Sequence, residues 1–262
     1  MSRARHESSR PEQAFVLSHH ERTPPHGHEQ GHLVYPATGV LSLATRHGVL
    51  IAPPSRVVWI PAGVQHWHRA HGATDMRIVF LTPPLARPLP AHPAVLTTTA
   101  LAREATLALT GGTERTDAAR LRLRRVIIDD LAAAPEQPLH LPDPVDDRLR
   151  AVAALVEQDL PAPVTLGELG RRVGASERTL TRLFHDETGM SFRQWRTQLR
   201  VHHALVQMAE GRSVTGTAIA CGWSNPSAFI AAFTALVGQT PGRYRQAITG
   251  LSDRPARPPV GS

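Results

Sequence analysis

A single cysteine, Cys221, is all that the 262-residue chain contains, which excludes an internal disulfide and makes a reducing cytoplasm the expected setting. No apolar run approaches the roughly 18 residues that a membrane span needs. The N-terminal stretch, with Arg3, Arg5, His6, Glu7 and Arg10, lacks the apolar core of a signal peptide. A soluble, internal protein with no membrane partner is expected. Lysine is missing altogether, so the net charge of +7 rests on arginine. Between residues 160 and 250, ten Arg stand against five Asp and Glu, an excess of +5. That balance suits nucleic acid, but charge alone suits a solvated surface equally well.

What is present is a repeated helical grammar from Val164 to Arg245. Thr165 with Glu168 three residues on is a capping box, and Leu166, Leu169 and Val173 share one face of the helix it starts. Gly170 allows a close helix crossing and Gly174 a tight turn. Ser176 caps the next helix, which buries Leu180, Leu183 and Phe184 and leaves Glu177, Arg178, Thr181, Arg182 and His185 outward, and Gly189 closes it. About 48 residues later the pattern returns: Ser213 as a cap, Ala218 and Gly222 in the spacing of Gly170 and Gly174, Asn225-Pro226 as a cap and first turn, and Phe229 and Phe233 as the buried pair. Between the units, Phe192, Trp195, Leu199, His202, Leu205 and Met208 fall on one stripe, predicting a single amphipathic helix of about 28 Å.

These residues resemble the C-terminal DNA-binding domain of the AraC/XylS family of bacterial transcription regulators. The resemblance rests on Ser176 to Phe184, Glu187-Thr-Gly-Met-Ser-Phe192, Leu199-Arg200 with Ala204, Gly222-Trp223-Ser-Asn-Pro-Ser-Ala-Phe229 and Thr240-Pro-Gly-Arg-Tyr-Arg245, in order over about eighty residues. It implies sequence-specific binding of double-stranded DNA through Glu177, Arg178, Thr181, Arg182, His185, Asn225, Ser227 and Arg243, with RNA polymerase as a protein partner. Two departures stand out. Thr217 occupies a position that is usually aliphatic, and the second reading helix carries Ala231, Ala232 and Ala235 where basic residues are usual.

From Phe15 to Leu81, short apolar runs (31–35, 40–44, 49–52, 57–60 and 76–81) separated by Pro and Gly predict a small β-barrel or sandwich. This part is similar to the cupin barrel that serves many AraC-type proteins as sensor. His26, His28, His32 and Gly39 follow the first cupin motif, with His32 in place of an acidic residue; Pro61, Gly63 and His66 follow the second, with Ala70 in place of asparagine. The run from Val57 through Trp59-Ile-Pro-Ala-Gly to His66 resembles a subgroup associated with efflux-transporter genes. His26, His28, His32, His66 and His68 share parity along an extended chain and so point to one side. His26, His28, His32 and His66 suit a divalent metal such as Zn, Ni or Fe. The same residues, with Val34, Val58 and Trp59, equally suit a pocket for an organic effector. Either ligand is expected to bind more weakly near pH 6, where imidazoles charge. His6, His19, His20, His47 and His71 are expected in loops or at the surface.

The expected fold class is α+β: a flexible N-terminus (1–13), a cupin-like sensor barrel (14–84), a linker and helical dimerisation region (85–144), an all-α domain with two helix-turn-helix units (145–250) and a disordered tail (251–262). Residues 82–97, with five prolines, read as a stiff connector, and Pro135 to Pro144 as a second linker. Helices are expected over 98–109 and 116–133; the latter's apolar face of Leu121, Leu123, Val126, Ile127, Ile128 and Leu131 suits core packing against the barrel or a dimer contact, and the family resemblance implies the homodimer. The function expected is a non-enzymatic transcription regulator whose barrel senses a small effector and controls neighbouring genes. The alternatives are a metal-dependent cupin enzyme (isomerase or dioxygenase) and a non-sensing architectural DNA binder.

Overall fold

The computed structural model describes residues 12–252. Its N-terminal part is an antiparallel sheet of β1 (Glu12–Leu17), β2 (Gly31–Thr45), β3 (Gly48–Ala52), β4 (Arg56–Ile60), β5 (His66–Leu81), β6 (Ala94–Thr97) and β7 (His140–Pro142). β2 is the hub. Its first half pairs with β4 (His32 opposite Ile60) and its second half with β3 (Leu43 opposite Leu50), while β5 follows its other edge from Gly31–Leu81 to Thr45–His66. Register shifts around Thr38 bend the strand. Gly39 makes the bend feasible: φ is +74°, and a Cβ there would stand 2.3 Å from Thr74 Oγ1.

Several expectations change here. The runs 31–35 and 40–44 are one strand, not two. The stiff connector contains β6, with Leu96 opposite Val57, and the second linker contains β7, with Leu141 opposite Val49. Such three- and four-residue edge strands are too short to show alternation, and proline only bounds them. Glu12 and Gln13, expected in the flexible N-terminus, begin β1, and Leu251 and Ser252 end the last helix; the rest of 1–13 and 251–262, His6 included, lies outside the described residues. Glu12 is buried and receives both Arg120 and Arg124.

Side chains alternate across the sheet as its two-residue period requires. Leu33, Tyr35, Val57, Trp59 and Val79 face α2 (Ala100–Thr110) and α3 (Asp117–Ala132), whose Leu109, Ile127, Ile128 and Leu131 close one core. Val34, Val58, Ile60 and Ile78 belong to a second core that runs on into the C-terminal helices. Trp59 therefore lies across the sheet from Val34 and Val58 rather than beside them, and its indole donates to the Pro90 carbonyl at 2.7 Å, pinning the segment after α1 (Pro83–Ala86).

The C-terminal part comprises α4 (Asp147–Gln158), α5 (Leu166–Val173), α6 (Glu177–Thr188), α7 (Phe192–Ala209), α8 (Val214–Ala220), α9 (Pro226–Val237) and α10 (Pro241–Ser252). The caps fall where the sequence puts them: the Thr165/Glu168 box, Ser176, Ser213 and Asn225 at starts, and left-handed Gly174 and Gly189 at ends. α7 departs from the single stripe expected of it. Gln198, Val201 and Ala204 are buried as well as Trp195, Leu199, His202, Leu205 and Met208, because α8, α9 and α10 cover one side while β2, β5 and β7 cover the other. Gln198 donates to the carbonyls of Pro138 (2.7 Å) and His140 (2.6 Å). Arg56, buried at the start of β4, donates to Val237 O at the end of α9. No helix among the described residues is long and apolar enough to cross a membrane.

Burial drives His202 on this interface down to about 3 from its ordinary 6.5, with His203 and His140 adding to the effect. The unfolded chain binds a proton at His202 below 6.5 that the folded chain refuses, so stability falls as pH drops from 6.5 towards 3. Urea unfolding at pH 7.5, 6 and 5 should show this loss, and His202→Gln should make it shallower, the other buried histidines supplying the rest; an unchanged slope in the variant would remove His202 as a source.

Candidate DNA interface and histidine cluster

In α6, Leu180 and Phe184 are buried, and Phe184 packs at 5.4 Å from both Phe192 and Trp195 of α7, which fixes the outward face of the helix. Glu177, Arg178, Thr181, Arg182 and His185 are all exposed on it. Neither Arg178 nor Arg182 has a hydrogen bond or ion pair with another described residue, so both guanidinium forks are available. Glu187 accepts from the backbone N–H of Val145 (2.7 Å) and Asp146 (3.2 Å), tying the end of α6 to the start of α4. In the second pair of helices, Phe229, Phe233 and Tyr244 pack in sequence, edge-on and tilted, with centroids 5.6 and 5.5 Å apart. Asn225, Ser227 and Arg243 are exposed, although the Asn225 carbonyl is taken up by the Ser227 N–H at 2.8 Å. Thr217 is buried with its hydroxyl unpartnered, which marks that departure as a core position.

The histidines gather at one end of the sheet. Ring centroids lie 4.4 Å apart for His26–His66, 5.0 Å for His26–His28, 4.7 Å for His28–His32, 5.0 Å for His32–His66 and 5.1 Å for His66–His68. His26 and His28 reach the cluster from the loop before β2 rather than from a strand, and His26 is held by a bridge to His66. Ligand atoms of His26, His28 and His66 come within 4.8 Å of one another; His32 stands just behind them. Both ring nitrogens of His32, and Nε2 of His66 and His68, are buried with no hydrogen-bond partner.

Tautomers decide what such a cluster offers. A carbonyl can only accept, so His26 Nδ1 donates to Pro24 O (2.8 Å) and His66 Nδ1 to Val64 O (2.9 Å), leaving both Nε2 atoms with lone pairs, the arrangement of metal-binding imidazoles. Burial first, then the neighbouring imidazoles, holds His32 and His68 well below the ordinary value. Burial likewise lowers His66 to about 4. These three stay neutral at pH 6, so the weakening expected there does not arise from them.

A second group, His19, His20 and Glu210, also lies within ligand distance, spanning the sheet and the end of α7. Its hydrogen bonds run the other way. His19 Nδ1 accepts from Gly72 N (3.0 Å) and His20 Nδ1 from Arg69 (3.1 Å), so in the neutral rings Nε2 carries the proton and donates. With Nδ1 of both rings taken up in this way, the pair differs from the first cluster, where Nε2 carries the lone pair. His71, expected at the surface, is buried beside it, with Nδ1 3.9 Å from Glu210 and Nε2 against Ser42 at 2.8 Å.

Residues 169–247 match the model of a helix-turn-helix domain. Across 241 residues, 90% of this chain, the protein is 35% identical to the HTH-type transcriptional regulator NimR of Escherichia coli K12, covering 87% of it. The chain belongs to the AraC family of transcriptional regulators. It is also 34% identical over 128 residues to the transcriptional activator RhaR of Klebsiella pneumoniae, covering 48% of this chain and 42% of RhaR. The solved structure of ToxT from Vibrio cholerae O395 aligns over 91% of this chain and 98% of its own, at 11% identity and a TM-score of 0.41.

Two features of this AraC-family regulator escaped the sequence analysis. Phe80, edge-on to His28 at 4.9 Å and beside His32 at 5.1 Å, closes the cluster because β5 places it opposite His32, a register that no local pattern reveals. Arg56 looks in the sequence like one more solvated charge. Only the Pro-Pro-Ser turn just before it, which aims β4, hints at a special position.

Proposed function

We propose that this DNA-binding transcription regulator reads DNA with two helix-turn-helix units, α5–α6 and α8–α9, and that the histidine cluster of a cupin-like barrel receives the effector that controls them. At about 1.5 Å per residue α7 is about 27 Å long, and with its flanking helices it approaches the ~34 Å between successive major grooves on one face of DNA. In this reading the sheet with α2 and α3 forms the sensor unit up to residue 144, and residues 145–250 form the DNA-binding domain. Glu177, Arg178, Thr181, Arg182 and His185 meet the first half-site, and Asn225, Ser227 and Arg243 meet the second. The exposure of Leu101 and Leu121 on α2 and α3 supports a homodimer through that layer. RNA polymerase contact and control of neighbouring genes, an efflux transporter among them, rest on the family resemblance. A cupin enzyme is the weaker reading, since NimR and RhaR are both named as transcription regulators.

The observation that carries the sensor half is the convergence of buried, unsatisfied, neutral imidazole nitrogens, which cost stability unless something binds them. That donor set fits a divalent transition metal held by His26, His28 and His66, with His32 or His68 completing the shell. When bound, the ion would supply a fixed positive charge beside Phe80, the ring that closes the cluster. A neutral organic effector would instead use the same nitrogens as acceptors.

On DNA, Arg182→Ala should weaken specific binding by about 1 to 3 kcal/mol, the discrimination one bidentate arginine provides, while non-specific binding stays near wild type. Equal loss in both, with a shallower salt slope, would make Arg182 a phosphate contact. At the sensor, His28→Ala combined with His66→Ala should abolish effector-dependent regulation while leaving basal operator binding in place. Elemental analysis of protein purified without chelator then separates the ligand classes: stoichiometric metal lost in the double variant establishes the ion, and metal-free protein with regulation intact establishes an organic-ligand pocket.

A further inference from the structure

We propose that α9 reads thymine through its C5-methyl group, so that the second half-site is recognised as A·T pairs by apolar contact. This rests on the assignment of α8–α9 as a DNA-facing unit. No charged residue occurs between Pro226 and Val237, whereas the corresponding stretch of α6 carries Glu177, Arg178, Arg182, His185, Asp186 and Glu187. Superposing the buried pairs, Leu180 and Phe184 on Phe229 and Phe233, places Ser227 at the position of Arg178, Ile230 at that of Thr181 and Ala231 at that of Arg182. Ile230 is 43% exposed, and Ala228, Ala231 and Ala235 are exposed around it. The face on α9 that corresponds to the outward face of α6 is therefore mostly methyl and methylene surface, with the Ser227 hydroxyl near the start, while Thr234, at the position of His185, keeps its hydroxyl buried.

Base-pair chemistry turns that absence into a preference. In the major groove guanine presents two acceptors, adenine an acceptor and a donor, and cytosine a donor; thymine adds to its acceptor a methyl group. Alanine and isoleucine carry no side-chain donor or acceptor. Pressed against a G·C pair they strip water from polar edge atoms and return no hydrogen bond, which costs affinity. Pressed against thymine they bury methyl against methyl. Short alanine side chains also let the helix backbone approach the base edges closely. Asn225 does not supply the missing base-reading acceptor, because its carbonyl is spent on the Ser227 N–H. Arg243, exposed in the first turn of α10, is left to meet phosphate, which carries no sequence information.

The test uses the full chain and duplexes selected by it from a random pool. Replacing thymine by deoxyuridine removes only the methyl group. Each contacted thymine in the second half-site should then lose about fourfold in affinity, the equivalent of one buried methylene, with no loss at thymines outside the site. Ile230→Ala, a surface change, should shrink the uracil penalty at one position and leave the others, and 5-methylcytosine should partly replace thymine. Selected duplexes with G·C pairs throughout the second half-site, or uracil as good as thymine there while scrambling that half-site still weakens binding, would overturn the methyl reading alone. If scrambling the second half-site changes nothing, α9 does not face DNA, and both the proposal and the assignment beneath it fall.

Discussion

Everything in this molecule hangs on α7 being covered on two sides. A surface helix needs one apolar stripe, but Gln198, Val201, His202 and Ala204 are buried along with Trp195, Leu199 and Leu205 because the helix is at once the spine of the C-terminal helices and the floor beneath the sheet. Burying Gln198 is feasible only because two carbonyls of the segment around β7 meet its amide; burying His202 only because it stays neutral. The docking is reinforced at its margins by Arg56 on the last turn of α9 and by Glu210, 3.9 Å from Nδ1 of His71 on β5. Sheet and helices are thus one contiguous core, and a change that separates them must expose apolar surface along the whole of α7.

The histidines show how the same residue type is put to different uses by its hydrogen bonds. At the end of the sheet, carbonyl acceptors hold the proton on Nδ1 and turn lone pairs inward, and burial keeps the rings neutral. Beside α7, an amide and a guanidinium donate to Nδ1 and leave the proton on Nε2. Counting histidines cannot separate these cases; the partner of the other ring nitrogen can. His202 is a third case, a buried neutral imidazole that packs as part of the core.

The C-terminal half was legible in the sequence because its information is local. Thr165 with Glu168, Ser176, Gly174 and Gly189 each act within one turn, and each was found where spacing put it. The exposed face of α6 followed from Leu180 and Phe184 alone. The sheet was legible in class but not in register. His32 and Val34 share one side of β2, as a common pocket requires, but Trp59, grouped with them in that expectation, alternates with Val58 and so faces α2 and α3. β6 and β7 were hidden in proline-rich stretches because pairing with β4 and β3 is non-local, and nothing within four residues records it. For the same reason Phe80 and Arg56, whose roles depend on distant partners, carried no signal of their own.

Two routes of contact join the histidine cluster to the helices that face away from the sheet. One is broad: β2 and β5, which carry His32, His66 and His68, rest directly on α7. The other is narrow: His32 is opposite Ile60 at one end of β4, and Arg56, about 13 Å away at the other end by strand rise, holds the end of α9. A close-packed strand of five residues moves as a unit, so a ligand that shifts His32 displaces Arg56 or strains the bond to Val237. Among the described residues no hydrogen bond ties α6 to the sheet, and its packing is chiefly against α5, α4 and α7. On the proposed reading, the control that a bound ligand exerts is unequal between the two helix pairs: it falls first on the placement of α9, and it cannot exceed the ligand's difference in affinity for the two placements.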